Sequence, residues 1–163
     1  MERVFIGLGG NQGDVLGTLK AAIADISALP EVKVTGQSGF YQTPPWGGIE
    51  QPDYINAVVE MQVSVEPDAL LQALLDIERR HGRNRHAEQQ WGPRTLDCDI
   101  LLFGERRLHS VSLSIPHPRM TQRAFVLVPL SEIDPEIAIP DFGLLATALQ
   151  RLPPQPIRLI EER

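Results

Sequence analysis

The 163-residue sequence is short of several things, and each shortage closes off a class of explanation. It holds one cysteine, Cys98, so no intrachain disulfide staples the fold; a reducing compartment, and hence a cytoplasmic protein, is the expectation. No stretch approaches the roughly 18 apolar residues of a membrane-spanning helix. The amino-terminal MERVFIGLGGNQGD breaks its apolar run at glycines and has no basic leader, so neither secretion nor membrane insertion is expected. Histidine and cysteine lack the spacing of a zinc site. Lysine is reduced to Lys20 and Lys33, and the net charge of -6 opposes nonspecific attraction to nucleic acid or an anionic membrane. An anion site must therefore be a local cluster.

The length suits one domain over residues 1–163, and 42% hydrophobic with 22% charged residues is ordinary for a globular chain. RVFIGLGG reads as a strand over residues 3 to 9 entering a turn, where Gly9, Gly10 and Asn11 form either a tight turn with Asp14 as a cap or a phosphate cradle. Leu16, Leu19, Ala22, Ile23, Ile26 and Leu29 then recur at helical spacing until Pro30. EVKVTGQSGFYQT reads as one long strand and YINAVVEMQVSV as its hairpin partner across a proline-rich loop. PDALLQALLDIERRHG is a helix with Pro67 early and Gly82 at its end, Arg79 and Arg80 on its solvated face. After an aperiodic loop, LDCDILLF is a further strand.

The order βαββαβ predicts an α+β fold, an antiparallel sheet with two helices on one face. Beyond Gly104 the pattern gives a loop to SIPHPRM, a helix over RAFVLVPLSEI, a proline-bounded turn and a short helix near GLLATALQRL.

Alternate strand residues share a face, so Asp97 and Asp99 project together while Cys98 and Ile100 turn into the opposite layer. Two such carboxylates can converge on Mg²⁺, or simply face solvent on an open side of the sheet. Five arginines, Arg79, Arg80, Arg83, Arg85 and Arg94, fall within 16 positions just before them. Cations suited to phosphate beside anionic metal ligands point to a metal-nucleotide site; the other reading is a helix end with structural ion pairs. No lysine-bearing phosphate loop and no G-x-G-x-x-G occurs.

Tyr54 and Asn56 stand at i and i+2 beside a loop containing Trp46, a pattern that suits a flat heterocycle but equally core packing and a turn. His117, between two prolines, either donates to a phosphate or caps a turn, with Arg119 and Arg123 adding charge. Phe125 alone reads as a core residue, and His81, His86 and His109 as exposed.

Together FYQTPP-W-GG, QPDYINAVV, E-x-x-x-G-R-x-R, WGPRTLDCDILLF and IPHPRM-x-x-RAFVLVPLSEI resemble the 6-hydroxymethyl-7,8-dihydropterin pyrophosphokinase family, over about residues 3 to 142. The resemblance implies a ferredoxin-like core with a carboxy-terminal extension. It also implies transfer of the β,γ-diphosphate of ATP to a pterin hydroxymethyl group with release of AMP, in folate biosynthesis. By the same resemblance Asp97 and Asp99 hold two Mg²⁺ ions, and Tyr54 and Phe125 sandwich the pterin with Thr43, Pro45, Trp46 and Asn56 around it. Glu78, Arg85, Trp91, Arg94, Ile100, His117 and Arg123 fall at nucleotide positions, and Arg83 and Arg94 at catalytic ones on a loop able to close over ATP. ATP and the pterin are the expected partners, with no nucleic acid, no membrane and a monomeric state.

Gln90 stands where an arginine commonly precedes WGPR, the Arg83-to-Trp91 interval is one residue longer than in the shortest members, and Ser112 lies near a position that can carry an ATP-contacting arginine; Arg106 or Arg107 are the substitutes at hand. Two other readings share these parts. A Mg²⁺-dependent nucleotidyltransferase also uses D-x-D but attacks the α-phosphorus and releases pyrophosphate. An RNA-binding module shares βαββαβ, against which stand the acidic charge and the absence of an RNP-like aromatic signature. Replacing either Asp97 or Asp99 by alanine is expected to remove most turnover without unfolding the protein.

Overall fold

The computed structural model describes residues 1–45, 47–84 and 92–163. Trp46, Arg85, His86, Gln90 and Trp91 therefore lie outside the described residues. The first 103 residues run β1 (Glu2–Gly10), α1 (Val15–Ser27), β2 (Val32–Gln37), β3 (Phe40–Thr43), β4 (Tyr54–Val63), α2 (Pro67–Arg80) and β5 (Asp97–Phe103). The described strands form a mixed α/β structure around one antiparallel sheet: β3, β4, β1 and β5 lie side by side, and β2 shares the outer edge of β4 with β3.

The helices form where apolar spacing and caps coincide. In α1, Val15, Leu19, Ala22 and Ile26 make one buried stripe, and the Asp14 carboxylate accepts from the Gly17 N–H at 3.2 Å, satisfying an otherwise orphaned donor. In α2, Pro67 occupies the first turn, Leu70, Leu74 and Ile77 face inward, and Gly82 ends the helix with φ of 87°, a conformation open to glycine. Both stripes pack on Val4, Ile6 and Leu8 of β1, Val59 and Met61 of β4, and Cys98 and Ile100 of β5.

The expected single strand before β4 is two. At Ser38 the chain interrupts the ladder: its backbone N–H donates to Val58 O at 2.9 Å, and its buried hydroxyl accepts from Val58 N at 2.8 Å. The hydroxyl replaces a backbone acceptor, so both halves still pair with β4. Gly9 and Gly10 are likewise strand residues, paired with Asn56 and Ile55, and the turn begins only at Asn11. His81 is not exposed as expected: its ring lies 2.8 Å from Asp25 Oδ2, joining the end of α2 to α1.

Past Gly104, two two-stranded ribbons appear where a loop and a turn were expected. These are β6 (Leu108–His109) with β7 (Ser114–Ile115), and β8 (Ala138–Ile139) with β9 (Gly143–Leu144). Helices α3 (Ala124–Ile133) and α4 (Leu145–Arg151) fall where the periodicity placed them. They cover part of the opposite sheet face through Phe5, Val58, Leu101, Leu102, Val126, Leu127 and Leu130. A bulge in the β1–β5 register puts both Leu101 and Leu102 on this side. A last strand, β10 (Arg158–Glu161), pairs with β3 and had no signal in the periodicity. None of the described helices is long and apolar enough to cross a membrane.

Candidate active site

α3 covers only one end of its sheet face, and a cleft of about 770 Å³, including its open mouth, remains at the other. Its floor is β1, where Gly7 and Gly9 leave space that side chains would fill. At Gly9 the reason is on the other strand: a Cβ there would stand 2.6 Å from the Asn56 Oδ1. Glycine thus lets the Asn56 amide lie over β1.

β4 supplies Tyr54 and Asn56, and β3 supplies Thr43. Asn56 and Thr43 are both buried, and Asn56 Nδ2 donates to Thr43 Oγ1 at 2.9 Å. That bond orients the amide, leaving Oδ1 as an acceptor and the threonine hydroxyl hydrogen free to donate. The Tyr54 hydroxyl donates to Gly92 O at 2.8 Å, anchoring its ring at the cleft wall. Phe125, at the start of α3, lines the cleft and also packs against the core beneath it. Pro45 lies in an adjoining hollow that shares Thr43 and Phe125 with the cleft.

β5 brings Asp97 and Asp99 to the same cleft, as strand alternation requires, while Cys98 and Ile100 are 3% exposed on the other side. Ile100 therefore does not present its side chain to the cleft. Burial, and then the negative charges of Glu78, Asp97 and Asp99, push the Cys98 thiol well above its ordinary pKa, so it is an inert core residue. Among the described residues no three histidine, cysteine, aspartate or glutamate side chains cluster as a closed metal site. Two carboxylates at an open cleft fit Mg²⁺, which usually keeps waters and completes its shell with phosphate oxygens.

The cations divide into two groups. Arg94, His117 and Arg123 line the cleft. Arg94 Nη1 is 3.6 Å from Asp97 Oδ2, and its buried Nε has no hydrogen-bond partner among the described residues, leaving a donor for an incoming oxygen. Arg83, expected on a closing loop, is instead buried: its Nη1 donates to Asp97 Oδ1 at 2.8 Å, Leu96 O at 3.2 Å and Glu78 Oε2 at 3.2 Å. Glu78, expected at the nucleotide, is 1% exposed and also accepts from Cys98 N at 2.8 Å. The pair braces β5 from below. Arg106 pairs with Glu2 and Glu66, and Arg107 with Asp141, so neither substitutes in the cleft for an arginine near Ser112.

Burial, followed by the charge of Arg123, pushes the His117 pKa down to about 4 against the pull of Asp97, and Arg119 adds to the depression. Its Nδ1 accepts from the Arg119 backbone N–H at 3.2 Å, so the neutral ring carries its hydrogen on Nε2 as a donor. Burial lowers the Arg123 pKa, opposed by nearby Asp99, and its guanidinium stacks 5.3 Å from the Phe125 ring centroid.

Asn11, which the sequence offers as part of a tight turn or of a phosphate cradle, has a bracing role that neither reading names. It is 3% exposed, accepts from Arg94 N at 2.8 Å through Oδ1, and donates from Nδ2 to Gln51 Oε1 and Pro52 O, both at 2.9 Å. It ties three loops at the cleft mouth. A buried amide needs partners, but sequence could not say which. Gly7 had a visible signal, glycines at alternate positions of an otherwise β-branched strand.

Paired carboxylates, cleft-facing arginines and two aromatic side chains thus meet in one cleft on an antiparallel sheet of a mixed α/β protein, the arrangement a polyphosphate beside a flat ring would require. The family described as 7,8-dihydro-6-hydroxymethylpterin-pyrophosphokinase (HPPK) matches residues 5–135, and the chain belongs to that family. It is 47% identical over 138 residues to the 2-amino-4-hydroxy-6-hydroxymethyldihydropteridine pyrophosphokinase of Synechocystis, covering 85% of this chain and 69% of that one. The Methylorubrum extorquens protein of the same name is 38% identical over 161 residues, covering 99% of this chain and 100% of its own. In fold the chain is similar to Plasmodium falciparum HPPK-DHPS with pteroate, at TM-score 0.72 and 13% identity. That match covers 92% of this chain and 42% of the other, so the chain spans about two fifths of that solved protein.

Proposed function

We propose that this chain transfers the β,γ-diphosphate of ATP to the hydroxymethyl group of 6-hydroxymethyl-7,8-dihydropterin, forming AMP and the pterin diphosphate in folate biosynthesis. The observation that carries this reading is that one cleft collects Asp97, Asp99, Arg94 and Arg123 beside Tyr54 and Phe125. The pterin ring lies between the two aromatic walls, with the oriented Asn56 amide and Thr43 hydroxyl meeting its polar edge. Trp46 and Pro45 belong to the loop beside it, and Arg85 and Trp91 to the nucleotide side.

The pterin oxygen must approach the β-phosphorus in line, so most of the catalytic work is positioning and charge stabilisation. Arg94, through the Nε that no described residue satisfies, and Arg123 take phosphate oxygens as charge develops towards the α,β bridge. Neutral His117 adds a donor at Nε2. Arg83 acts from beneath, holding Asp97 in place. No side chain is assigned as a strong base, since Asp97 already accepts from Arg83. Asp97 and Asp99 are the residues that would hold Mg²⁺, two ions in this reading, which supplies neutralisation of the triphosphate.

The sheet order, with α1 and α2 on one face, is read as a ferredoxin-like core with a carboxy-terminal extension. The chain is read as one domain acting as a cytoplasmic monomer. A product assay with ATP, Mg²⁺ and the dihydropterin tests the activity. AMP and a diphosphorylated pterin are expected only in the complete mixture; release of ADP or pyrophosphate instead overturns the reading.

A further inference from the structure

Helix α3 carries Arg123 at its N-cap and Phe125 in its first turn, yet the cap residue's side chain makes no capping bond. The orphaned donor is met from 31 residues away. Gln155 Oε1 accepts from the Ala124 N–H at 2.9 Å, while its Nε2 donates to Gln122 O at 2.9 Å. One amide thus grips the backbone on both sides of Arg123, fixing the segment from which Arg123 and Phe125 enter the cleft.

The grip is itself anchored. Arg158 Nη2 donates to Gln42 Oε1 at 2.5 Å, and Gln42 Nε2 donates to Asp53 Oδ2 at 3.0 Å, next to Tyr54. β10 then adds Arg158 and Leu159 to β3 opposite Gln42 and Tyr41. The tail therefore touches the supports of both aromatic walls, although it lies beyond residues 5–135, the stretch matched by the family description.

We propose that Gln155 is a positioning residue for the flat-ring substrate, acting through Phe125; the substrate's identity rests on the reading above. Loss of its two bonds lets the start of α3 shift, weakening ring binding without removing any group that touches the reacting atoms.

The test compares Gln155→Met, close in volume but unable to make either bond, with Gln155→Glu, which keeps the acceptor for Ala124 N. Amide exchange at Ala124 reads the bond directly, and titration with the dihydropterin reads binding without turnover. Steady-state kinetics separates KM from kcat. Gln155→Met should accelerate Ala124 exchange and raise the dihydropterin Kd and KM about tenfold with kcat within about threefold, and Gln155→Glu should fall between it and the unaltered protein.

Unchanged exchange, or faster exchange with unchanged Kd and KM, overturns the proposal, as does a loss of kcat at constant KM, the mark of a smaller folded fraction. If Gln155→Met does not fold, the same criteria apply to Gln155→Glu. Failure of the unaltered protein to release AMP rejects the proposed activity, while the exchange and binding measurements still decide the role of Gln155.

Discussion

The two faces of the central sheet are built by alternate residues of the same strands, and they could hardly differ more. On the α1–α2 side, Val4, Ile6, Leu8, Ala57, Val59, Met61, Cys98 and Ile100 are apolar and buried. On the other side β1 offers Phe5, Gly7 and Gly9, β4 offers Val58, Asn56 and Tyr54, and β5 offers Leu101, Asp99 and Asp97. Apolar residues stop where α3 stops. The packed face fixes strand positions to within side-chain dimensions, and that rigidity lets the opposite face carry carboxylates, an amide and bare glycine.

Substitutions on the two faces should therefore separate stability from activity. The largest effect is expected at the carboxylates: Asp99→Ala should lower kcat by roughly a thousandfold, about 4 kcal/mol, in a protein that still folds. Asp97→Ala should lose as much turnover but also about 2 kcal/mol of stability, because buried Arg83 loses a partner at 2.8 Å. An unaltered melting curve for Asp97→Ala would show that Arg83 does not depend on Asp97. On the packed face, Leu74→Ala should cost about 3 kcal/mol in denaturant unfolding while kcat of the folded protein stays constant. Phe125→Ala at the cleft wall should weaken dihydropterin binding about twentyfold, near 2 kcal/mol, as read by equilibrium titration.

The smallest effect is a slope. His117 has a folded-state pKa of about 4, below its ordinary 6.5, so the unfolded chain binds the proton first. Its contribution to stability is therefore present above about pH 6.5 and lost as pH falls towards 4. Replacement by asparagine should flatten the stability profile in that window, measured by denaturation at several pH values; an unaltered slope would mean that burial, with the charges of Arg123 and Arg119, does not hold the ring neutral against the pull of Asp97.

Helices α1 and α2 and strand β5 were legible because period and punctuation agreed: Leu19, Ala22 and Ile26, or Leu70, Leu74 and Ile77, with Asp14, Pro67 and Gly82 at the ends. Strand β10 was not legible, since its four residues are half-exposed to exposed and its partner β3 is more than a hundred positions away. The cleft was half legible. Asp97 and Asp99 had to share a face whatever the fold, because a strand alternates. Arg83 could not be placed, because an arginine in a loop reads as solvated unless one knows that Glu78 and Leu96 O wait beneath it.

What the sequence determined by itself was local: which residues form helices and strands, which side chains share a face, and the motifs that mark the family. These follow from backbone period and capping, which act within a few residues. Only the tertiary structure decided which cations face the cleft and which are buried as braces, that Asn56 orients on Thr43, and that Gln155 caps a distant helix. Each depends on partners far apart in the chain, and a polar side chain carries no local record of the group that will satisfy it.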